Sequence, residues 1–183
     1  MPVQRLRVLA VLLILLPPFH LFAQQRRTKM PDEFFAHPEK LCAALESFGI
    51  SGGAWEPMNP GPHVPFECEY TGTPGSDDPA AANLPEFHVV YRVSGDTATH
   101  ADIISIAVVV DKPAALAAGQ AELAQLVAAM FQSIGQPEPA SLVAFMAKRR
   151  YYLSRRRYGI VWFNFVKPDH PGYRRTFWFR LSQ

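Results

Sequence analysis

Two stretches of alternating hydrophobicity constrain the fold of this chain more than any other feature. Apolar side chains occupy every second position over residues 87–93 and again over residues 104–110. Successive side chains of a strand point to opposite faces, so this period of two predicts two strands. The turn-forming sequence Ser94-Gly95-Asp96 lies between them, which predicts that they pair as an antiparallel hairpin.

Helical spacing of apolar side chains appears before and after this hairpin. It predicts a first helix over residues 38–48, ended by Gly49, a long helix over 113–134, ended by Gly135, and a short helix that begins near Pro139. Each glycine can adopt the left-handed conformation that stops a helix.

Further strands are predicted at residues 54–58 and 66–71, and at 158–166 and 173–181 as a second hairpin. The predicted order is α-β-β-β-β-α-α-β-β. This is an α+β fold, in which helices cover one face of an antiparallel sheet, and it contains no βαβ unit of the kind that binds nucleotides in doubly wound folds.

The N-terminus has the three parts of a cleavable export signal. Arg5 and Arg7 supply positive charge, residues 8–16 are an unbroken apolar run, and Ala23 is the small residue that precedes the cleavage point. A nine-residue helix covers only about 14 Å of a hydrocarbon core about 30 Å thick. We therefore predict cleavage near Ala23, no transmembrane anchor after cleavage, and a periplasmic or secreted protein. The excess of arginine over lysine favours a bacterial source.

Cleavage would leave two regions. Residues 24–36 carry three cations and few apolar side chains, which predicts a mobile N-terminus of the mature protein. Residues 37–183 are long enough for one domain with its own core, and we predict a single α+β domain there.

Cys42 and Cys68 are the only two cysteines. Oxidising conditions outside the cytoplasm allow such a pair to persist as a disulfide, which we predict. Two buried free thiols are one alternative. A metal or redox site is another, although the chain has no Cys-x-x-Cys motif.

No pattern in the sequence supports catalysis, a cofactor or a metal. Gly49-x-Ser51-x-Gly53 matches a nucleophile elbow in letters only, because the elbow needs a strand before the serine and a helix after it, and the predicted order is the reverse. No two histidines are spaced as metal ligands, and Asp77 and Asp78 lie in a turn-forming run. We therefore predict no catalytic residue, cofactor or metal. An enzyme with a site assembled from distant residues stays open.

Charge is segregated along the chain. Residues 24–147 contain 15 acidic and 6 basic side chains, whereas residues 148–183 contain 1 acidic and 10 basic ones together with ten aromatic rings. This pattern suggests a cationic, aromatic surface that binds an envelope protein or an anionic or sugar-containing polymer. The candidate contacts are Arg155, Arg156, Arg157, Arg174, Arg175, Trp178 and Arg180.

Internal neutralisation is the alternative explanation of the segregated charge. If the C-terminal hairpin joins the same sheet as the acidic strands, its arginines can pair with Glu67, Glu69 and Asp102, and half of the aromatic rings belong to the core. The net charge of zero over residues 24–183 favours this alternative. The predicted compartment excludes nucleic acid as a partner in either case.

A short stretch resembles a known family. Leu41-Cys42, Leu45, Gly49, Trp55 and Glu67-Cys68, within residues 38–70, are similar to small exported bacterial proteins of a domain-of-unknown-function family. The resemblance implies an exported α+β domain with a link between Cys42 and Cys68, and it implies no catalytic residues.

Three classes of function follow from these patterns. An exported, non-enzymatic binding module is the leading hypothesis and requires an exposed surface of arginine, tyrosine and tryptophan. An envelope enzyme would require a pocket that holds a histidine or carboxylate with a shifted pKa. A secretion or assembly factor would expose an apolar sheet face or helix stripe.

Overall fold

A computed structural model describes residues 32–58, 65–73, 87–167 and 174–183. The helices are α1 (Asp32–Phe35), α2 (Pro38–Cys42), α3 (Leu116–Ser133) and α4 (Ala140–Ala147), with 3-10 turns at Glu46–Phe48 and Pro113–Ala115. The strands are β1 (Glu56–Pro57), β2 (Phe66–Gly72), β3 (Phe87–Gly95), β4 (Ile103–Val110), β5 (Tyr152–Arg156), β6 (Gly159–Val166) and β7 (Arg175–Ser182).

All seven strands of the described residues form one antiparallel sheet in the order β1-β2-β3-β4-β7-β6-β5. The two predicted hairpins are present as β3–β4 and β6–β7. They are joined by pairing of β4 with β7, in which Ile106 lies opposite Phe179. The predicted α+β class, an antiparallel sheet with helices packed on it, is confirmed.

The core lies between one face of this sheet and α3. Alternate residues of β7 are buried there, because Phe177, Phe179 and Leu181 point toward the helix while Trp178 and Arg180 point away from it. The helix contributes a matching apolar stripe that contacts β4 and β7. The stripe consists of Leu123, Leu126, Val127, Met130 and Phe131.

Residues Pro113–Ser133 are also long and apolar enough to cross a membrane by length and composition. The buried stripe accounts for that composition, because a core helix that packs on a sheet has the same properties.

The disulfide between Cys42 and Cys68 is present and joins α2 to β2, with 5.9 Å between the two Cα atoms. Both residues are buried. The hydroxyl of Tyr91 on β3 donates a hydrogen bond to the carbonyl oxygen of Leu41, and burial raises the pKa of this phenol. The helical N-terminal segment is therefore held to the sheet by one covalent bond and by one buried hydrogen bond.

The N-terminal helical region differs from the prediction in length. The helix predicted over residues 38–48 ends at Cys42, because the carbonyl oxygen of Cys42 accepts a hydrogen bond from the Gly52 N–H (3.0 Å) instead of continuing the helix. A separate 3-10 turn then leads to Gly49, which has the predicted left-handed conformation (φ 71°).

The packed region also starts earlier than residue 37. Within residues 24–36, predicted as a mobile N-terminus, the structure describes 32–36, and Asp32–Phe35 is a short helix. Phe35 is buried in the core, and its carbonyl oxygen accepts a hydrogen bond from the Ala101 N–H (2.8 Å). The predicted signal, residues 1–23, lies outside the described residues.

The C-terminal part of the sheet contains one strand more than predicted. β5 pairs with β6 through a two-residue turn at Arg157 and Tyr158, and Gly159 just after the turn has a positive φ of 132°. A Cβ atom at Gly159 would collide with the carbonyl oxygen of Ser182. This glycine therefore permits β6 to approach the end of β7 while the chain reverses into β5.

Candidate functional site

The second face of the sheet, which we call the outer face, points away from α3. Its side chains alternate with those of the core along every strand. Strand registers align them in rows that cross the sheet from β2 to β5. The central row runs through Glu69, Arg92, Ser105, Arg180, Trp162 and Leu153.

The β2–β3 end of the outer face carries a compact group of opposite charges. We call Glu67, Glu69 and Arg92 the acid–arginine cluster. Arg92 donates hydrogen bonds to Glu69, one of them from Nε at 2.7 Å, and its Nε lies 3.3 Å from a carboxylate oxygen of Glu67. The guanidinium therefore bridges two acids that would otherwise repel each other.

Folding shifts the pKa values of the two acids of this cluster in opposite directions. Hydrogen bonds from Arg92 lower the pKa of Glu69. Desolvation by burial raises the pKa of Glu67 more than the charge of Arg92 lowers it. Glu67 is the more buried of the two, with 13% of its side chain exposed against 34% for Glu69. With all three groups ionised the cluster has a net charge of −1, and its charges are paired within the molecule. Ionised Glu69 favours the fold, whereas ionised Glu67 opposes it.

The β5–β6–β7 end has a different character. We call its outer-face residues, with the residue that precedes β5, the aromatic–arginine patch. Leu153 is 57% exposed, Tyr151 is 53% exposed and Trp178 is 38% exposed. The rings of Tyr151 and Trp162 meet edge to face, with 6.5 Å between their centroids. The patch consists of Tyr151, Leu153, Arg155, Ile160, Trp162, Trp178 and Arg180.

Two arginines of the patch are not neutralised. Arg180 lies between Ser105 and Trp162, and Arg155 lies opposite Ile160. Neither arginine forms an ion pair within the part of the chain that the structure describes. Positive charge therefore lies beside exposed aromatic and aliphatic side chains.

The structure divides the seven candidate contacts predicted from the sequence. Arg155, Trp178 and Arg180 lie together on the patch. Arg157 is exposed in the turn after β5. Arg174 is at the start of β7, where its Nε donates to a carboxylate oxygen of Asp111 at 3.1 Å.

The other two candidates belong to the helix side of the sheet. Arg175 has the same orientation along β7 as the buried Phe177. Arg156 donates hydrogen bonds to the hydroxyls of Tyr152 (2.8 Å) and Ser141 (3.2 Å), the latter on α4. The predicted set therefore does not form one surface, because adjacent residues of a strand point to opposite faces.

Internal neutralisation occurs with different partners from those predicted. The C-terminal hairpin does share a sheet with the acidic strands, and Phe163, Phe177 and Phe179 are core residues, as that alternative requires. However, Glu67 and Glu69 pair with Arg92, and a carboxylate oxygen of Asp102 accepts a hydrogen bond from the Asp96 N–H. The predicted pairing of Glu67 and Glu69 with C-terminal arginines was wrong, because β3 and β4 separate β2 from β7. Asp102 precedes β4, which is next to β7, but its carboxylate is bound to a backbone N–H.

Four residues of the patch, Tyr151, Leu153, Ile160 and Trp162, were absent from the predicted contacts. Leu153 reaches the outer face because β5 pairs with β6, and Trp162 reaches it because β6 pairs with β7. The Tyr151 ring, just before β5, lies against the Trp162 ring. The alternation of Tyr151, Leu153 and Arg155 is a signal that could have revealed them. It is short, and the adjacent Arg156 and Arg157 obscure it.

Tyr152 and Arg156 form a second polar group, on the helix side. Burial raises the pKa of Tyr152, but hydrogen bonds with Ser141 and Arg156 outweigh burial and lower its pKa overall. Nε of Arg156 is buried without a hydrogen-bond partner. This group ties β5 to α4 and so fixes the edge strand that carries Leu153.

A cavity of about 320 Å³ lies between the N-terminal helices and the end of α3. His37, Lys40 and Tyr158 are among its lining residues. The His37 ring is half exposed and its Nδ1 lies 3.6 Å from a carboxylate oxygen of Glu39. Within the described ranges, no three histidine, cysteine, aspartate or glutamate side chains are placed to hold a metal ion.

Fold and surface together define an α+β protein in which helices cover one face of a seven-stranded antiparallel sheet and the other face carries two contrasting groups of side chains. The chain belongs to a family of unknown function (DUF6030), whose model matches residues 10–162. The match extends well beyond residues 38–70, where the resemblance to such a family was noted. No curated protein and no solved structure matches the chain significantly.

Residues that carried the resemblance have structural roles in this fold. Leu41, Cys42 and Leu45 are core residues, and Gly49 ends the 3-10 turn. The Trp55 indole donates a hydrogen bond to the carbonyl oxygen of Ala98 at 3.0 Å. These positions hold the N-terminal segment on the sheet and lie away from the patch.

Proposed function

We propose that this protein is an exported, non-enzymatic module that binds an acidic protein partner through the aromatic–arginine patch. The observation that carries the proposal is the coincidence of exposed Trp178, Tyr151 and Leu153 with the unneutralised Arg155 and Arg180 on one sheet face. Tryptophan, tyrosine and arginine are the residues that dominate binding energy at protein interfaces.

Aliphatic side chains favour a protein over a sugar polymer as the partner. A polymer of anionic sugars would use the aromatic rings and arginines of the patch, but it gains little from Leu153, the most exposed large apolar residue of the described chain. A protein interface with an apolar centre and a charged rim uses all three kinds of side chain. Unpaired arginines require acidic groups on that partner.

Export is part of the proposal and has two supports. Residues 1–23 have the composition of a cleavable signal. The Cys42–Cys68 disulfide is the kind of bond that persists in oxidising compartments. We also propose that the other members of its family are small exported bacterial proteins.

Export is tested by N-terminal sequencing of the protein recovered from the periplasm or medium of its host. We expect a mature chain that begins at Gln24. An intact chain that remains in the cytoplasm would contradict export and leave the binding surface to be tested separately.

Binding is tested by a photo-reactive phenylalanine analogue placed at two positions in the full chain. Asn164 borders the patch, opposite Trp178, and Thr71 lies on the same outer face at the β2 end. After irradiation in the native host, covalent adducts are identified by mass spectrometry. We expect a protein adduct from position 164 and not from position 71.

The adduct must depend on the chemistry of the patch. Leu153→Glu and Arg180→Glu should each abolish it, and the purified partner should bind the wild-type chain with an affinity that falls as salt rises. Identical adducts from both positions would overturn the proposal. Unchanged capture in the Arg180→Glu variant would also overturn it. If the protein is retained on an anionic polysaccharide and gives no protein adduct, the partner is a polymer and not a protein.

A further inference from the structure

A second basic surface lies on the helix side of the sheet and is independent of the patch. Four cations from three parts of the chain line an open cleft of about 570 Å³. Two follow α4, one follows β6 and one begins β7. We call this the basic cleft, and its lining residues are Lys148, Arg149, Lys167, Arg175, Phe165 and Leu116. Among the residues that the structure describes, none of the side chains that line it is acidic.

Arg149 has a backbone conformation that glycine usually adopts. It is the sole non-glycine residue with a positive φ (53°) among the described residues. Hydrogen bonds from the Arg149 N–H to Met146 (3.0 Å) and from the Arg150 N–H to Phe145 (2.9 Å) form the helix-ending motif in which glycine is favoured. An arginine that persists at a strained position indicates a use for its side chain.

That use is not to cap α4. Nε2 of Gln120 already donates to the carbonyl oxygens of Met146 (2.9 Å) and Ala147 (3.0 Å). Oε1 of the same Gln120 accepts a hydrogen bond from Nε of Arg149 at 2.7 Å. Gln120 therefore satisfies the helix end and also orients the guanidinium, whose terminal amino groups remain for another partner.

The Phe165 ring makes cation–π contacts with two of the cations. The guanidinium carbon of Arg149 and Nζ of Lys167 each lie 5.9 Å from the centroid of the Phe165 ring, although they come from different elements. Both cations also line the same cleft, where an anion bound by the two would offset the repulsion between like charges. We propose that the basic cleft binds a phosphate group.

Phosphate fits this set of side chains better than a single carboxylate does. An arginine offers a planar fork of donors and lysines act as point charges, so three or more cations together match an oxyanion with several charged oxygens. Leu116 and Phe165 add an apolar wall that accommodates the rest of a phosphorylated molecule. The phosphate can belong to a soluble compound or to a lipid headgroup.

The proposal is tested by calorimetric titration of the full mature chain with inorganic phosphate and with pyrophosphate. The double variant Arg149→Gln/Lys167→Gln should weaken binding at least tenfold. Lys40→Gln/Arg157→Gln is the matched control, because it removes one exposed lysine and one exposed arginine outside the cleft and outside the patch, and it should change the affinity less than twofold. Absence of saturable binding in the wild type, or equal weakening by both double variants, overturns the proposal.

Arg149→Gly separates a binding role from a structural one. If Arg149 serves a ligand, glycine should weaken phosphate binding while the unfolding midpoint stays the same or rises, because the left-handed strain is relieved. A lowered midpoint with unchanged phosphate binding assigns Arg149 to structure and overturns the proposal.

Sedimentation with vesicles then distinguishes the two sources of phosphate. Vesicles of phosphatidylcholine with phosphatidylglycerol are compared with pure phosphatidylcholine. Binding to the anionic vesicles that inorganic phosphate competes away, and that the Arg149→Gln/Lys167→Gln variant loses, identifies a lipid headgroup. Saturable phosphate binding without vesicle binding identifies a soluble phosphorylated ligand.

Discussion

The two ends of the outer sheet face use arginine in opposite ways. At the β2–β3 end, Arg92 is bound to Glu69 and lies beside Glu67, so its charge is paired with acidic side chains of the same molecule. At the β5–β7 end, Arg180 occupies the same cross-strand row but has Ser105 and Trp162 as its neighbours. The difference teaches that strand order, rather than the number of arginines, decides where a basic surface is available to a partner.

The largest effect on the free energy of unfolding is expected at Phe179, and the adjacent Trp178, which points to the opposite face of the sheet, provides the comparison. Phe179→Ala removes a fully buried ring and should lower the free energy of unfolding by about 3–5 kcal/mol. Trp178→Ala should cost only about 1 kcal/mol, because that ring is on the outer face. Chemical denaturation measures both. Equal costs would show that the outer face is packed as tightly as the core.

The next effect concerns the disulfide, which anchors the N-terminal segment near the acid–arginine cluster. Cys42→Ala/Cys68→Ala should lower the free energy of unfolding by about 3 kcal/mol, because the bond closes a loop with a sequence separation of 26. Partner capture at position 164 should persist in this variant below its unfolding midpoint. Loss of capture in the folded variant would show that the two ends of the sheet are coupled.

Acid titration should separate the two glutamates of the cluster. Glu69 has a folded pKa below 4.5, so it stabilises the fold above that value and loses this contribution as pH falls through the folded pKa. Glu69→Gln should therefore lower stability at pH 7 by up to about 1 kcal/mol and lessen acid sensitivity.

Glu67 should behave in the opposite sense. Its folded pKa is above 4.5, so its ionised form disfavours the fold at pH 7, and protonation relieves that penalty as pH falls through the folded pKa. Glu67→Gln should raise the unfolding midpoint slightly at neutral pH, and the gain should disappear below the unfolded pKa. Thermal melts of both variants at several pH values check the pair; shifts of the same sign would contradict the assigned burial of Glu67.

The smallest effect on stability is expected at Arg180. Because its charge is not used within the described residues, Arg180→Gln should change the free energy of unfolding by less than about 0.5 kcal/mol. Arg92→Gln, its counterpart in the same row, should cost more, because two acids then lose their cation. Denaturant titration of the two variants provides a direct comparison of the two ends of the sheet.

Much of the fold could be predicted from local patterns. The alternation that predicted β3 and β4, and the left-handed conformations at Gly49 and Gly135, are properties of short segments and were confirmed. The burial pattern of β7 also follows a local pattern, because Phe177 and Phe179 alternate with polar or amphipathic neighbours. Prediction was poorest for β5, whose five residues are half polar and whose turn residues lack glycine or asparagine.

The candidate site was harder to predict than the fold. Composition pointed to the arginine-rich and aromatic region as the candidate surface, but Arg156 and Arg175 belong to the helix side, and the patch contains Tyr151, Leu153 and Trp162 instead. A count of charges along the chain cannot resolve this, because it does not say which residues share a face.

By itself, the sequence determined the periodicity of each element and the one cysteine pair that could form, since both depend on neighbouring residues or on simple counting. Tertiary structure alone decided that β7 lies between β4 and β6, and that Arg180 faces Trp162 while Glu69 faces Arg92. Strand order is set by how distant segments bury a common core, and no local pattern encodes that choice.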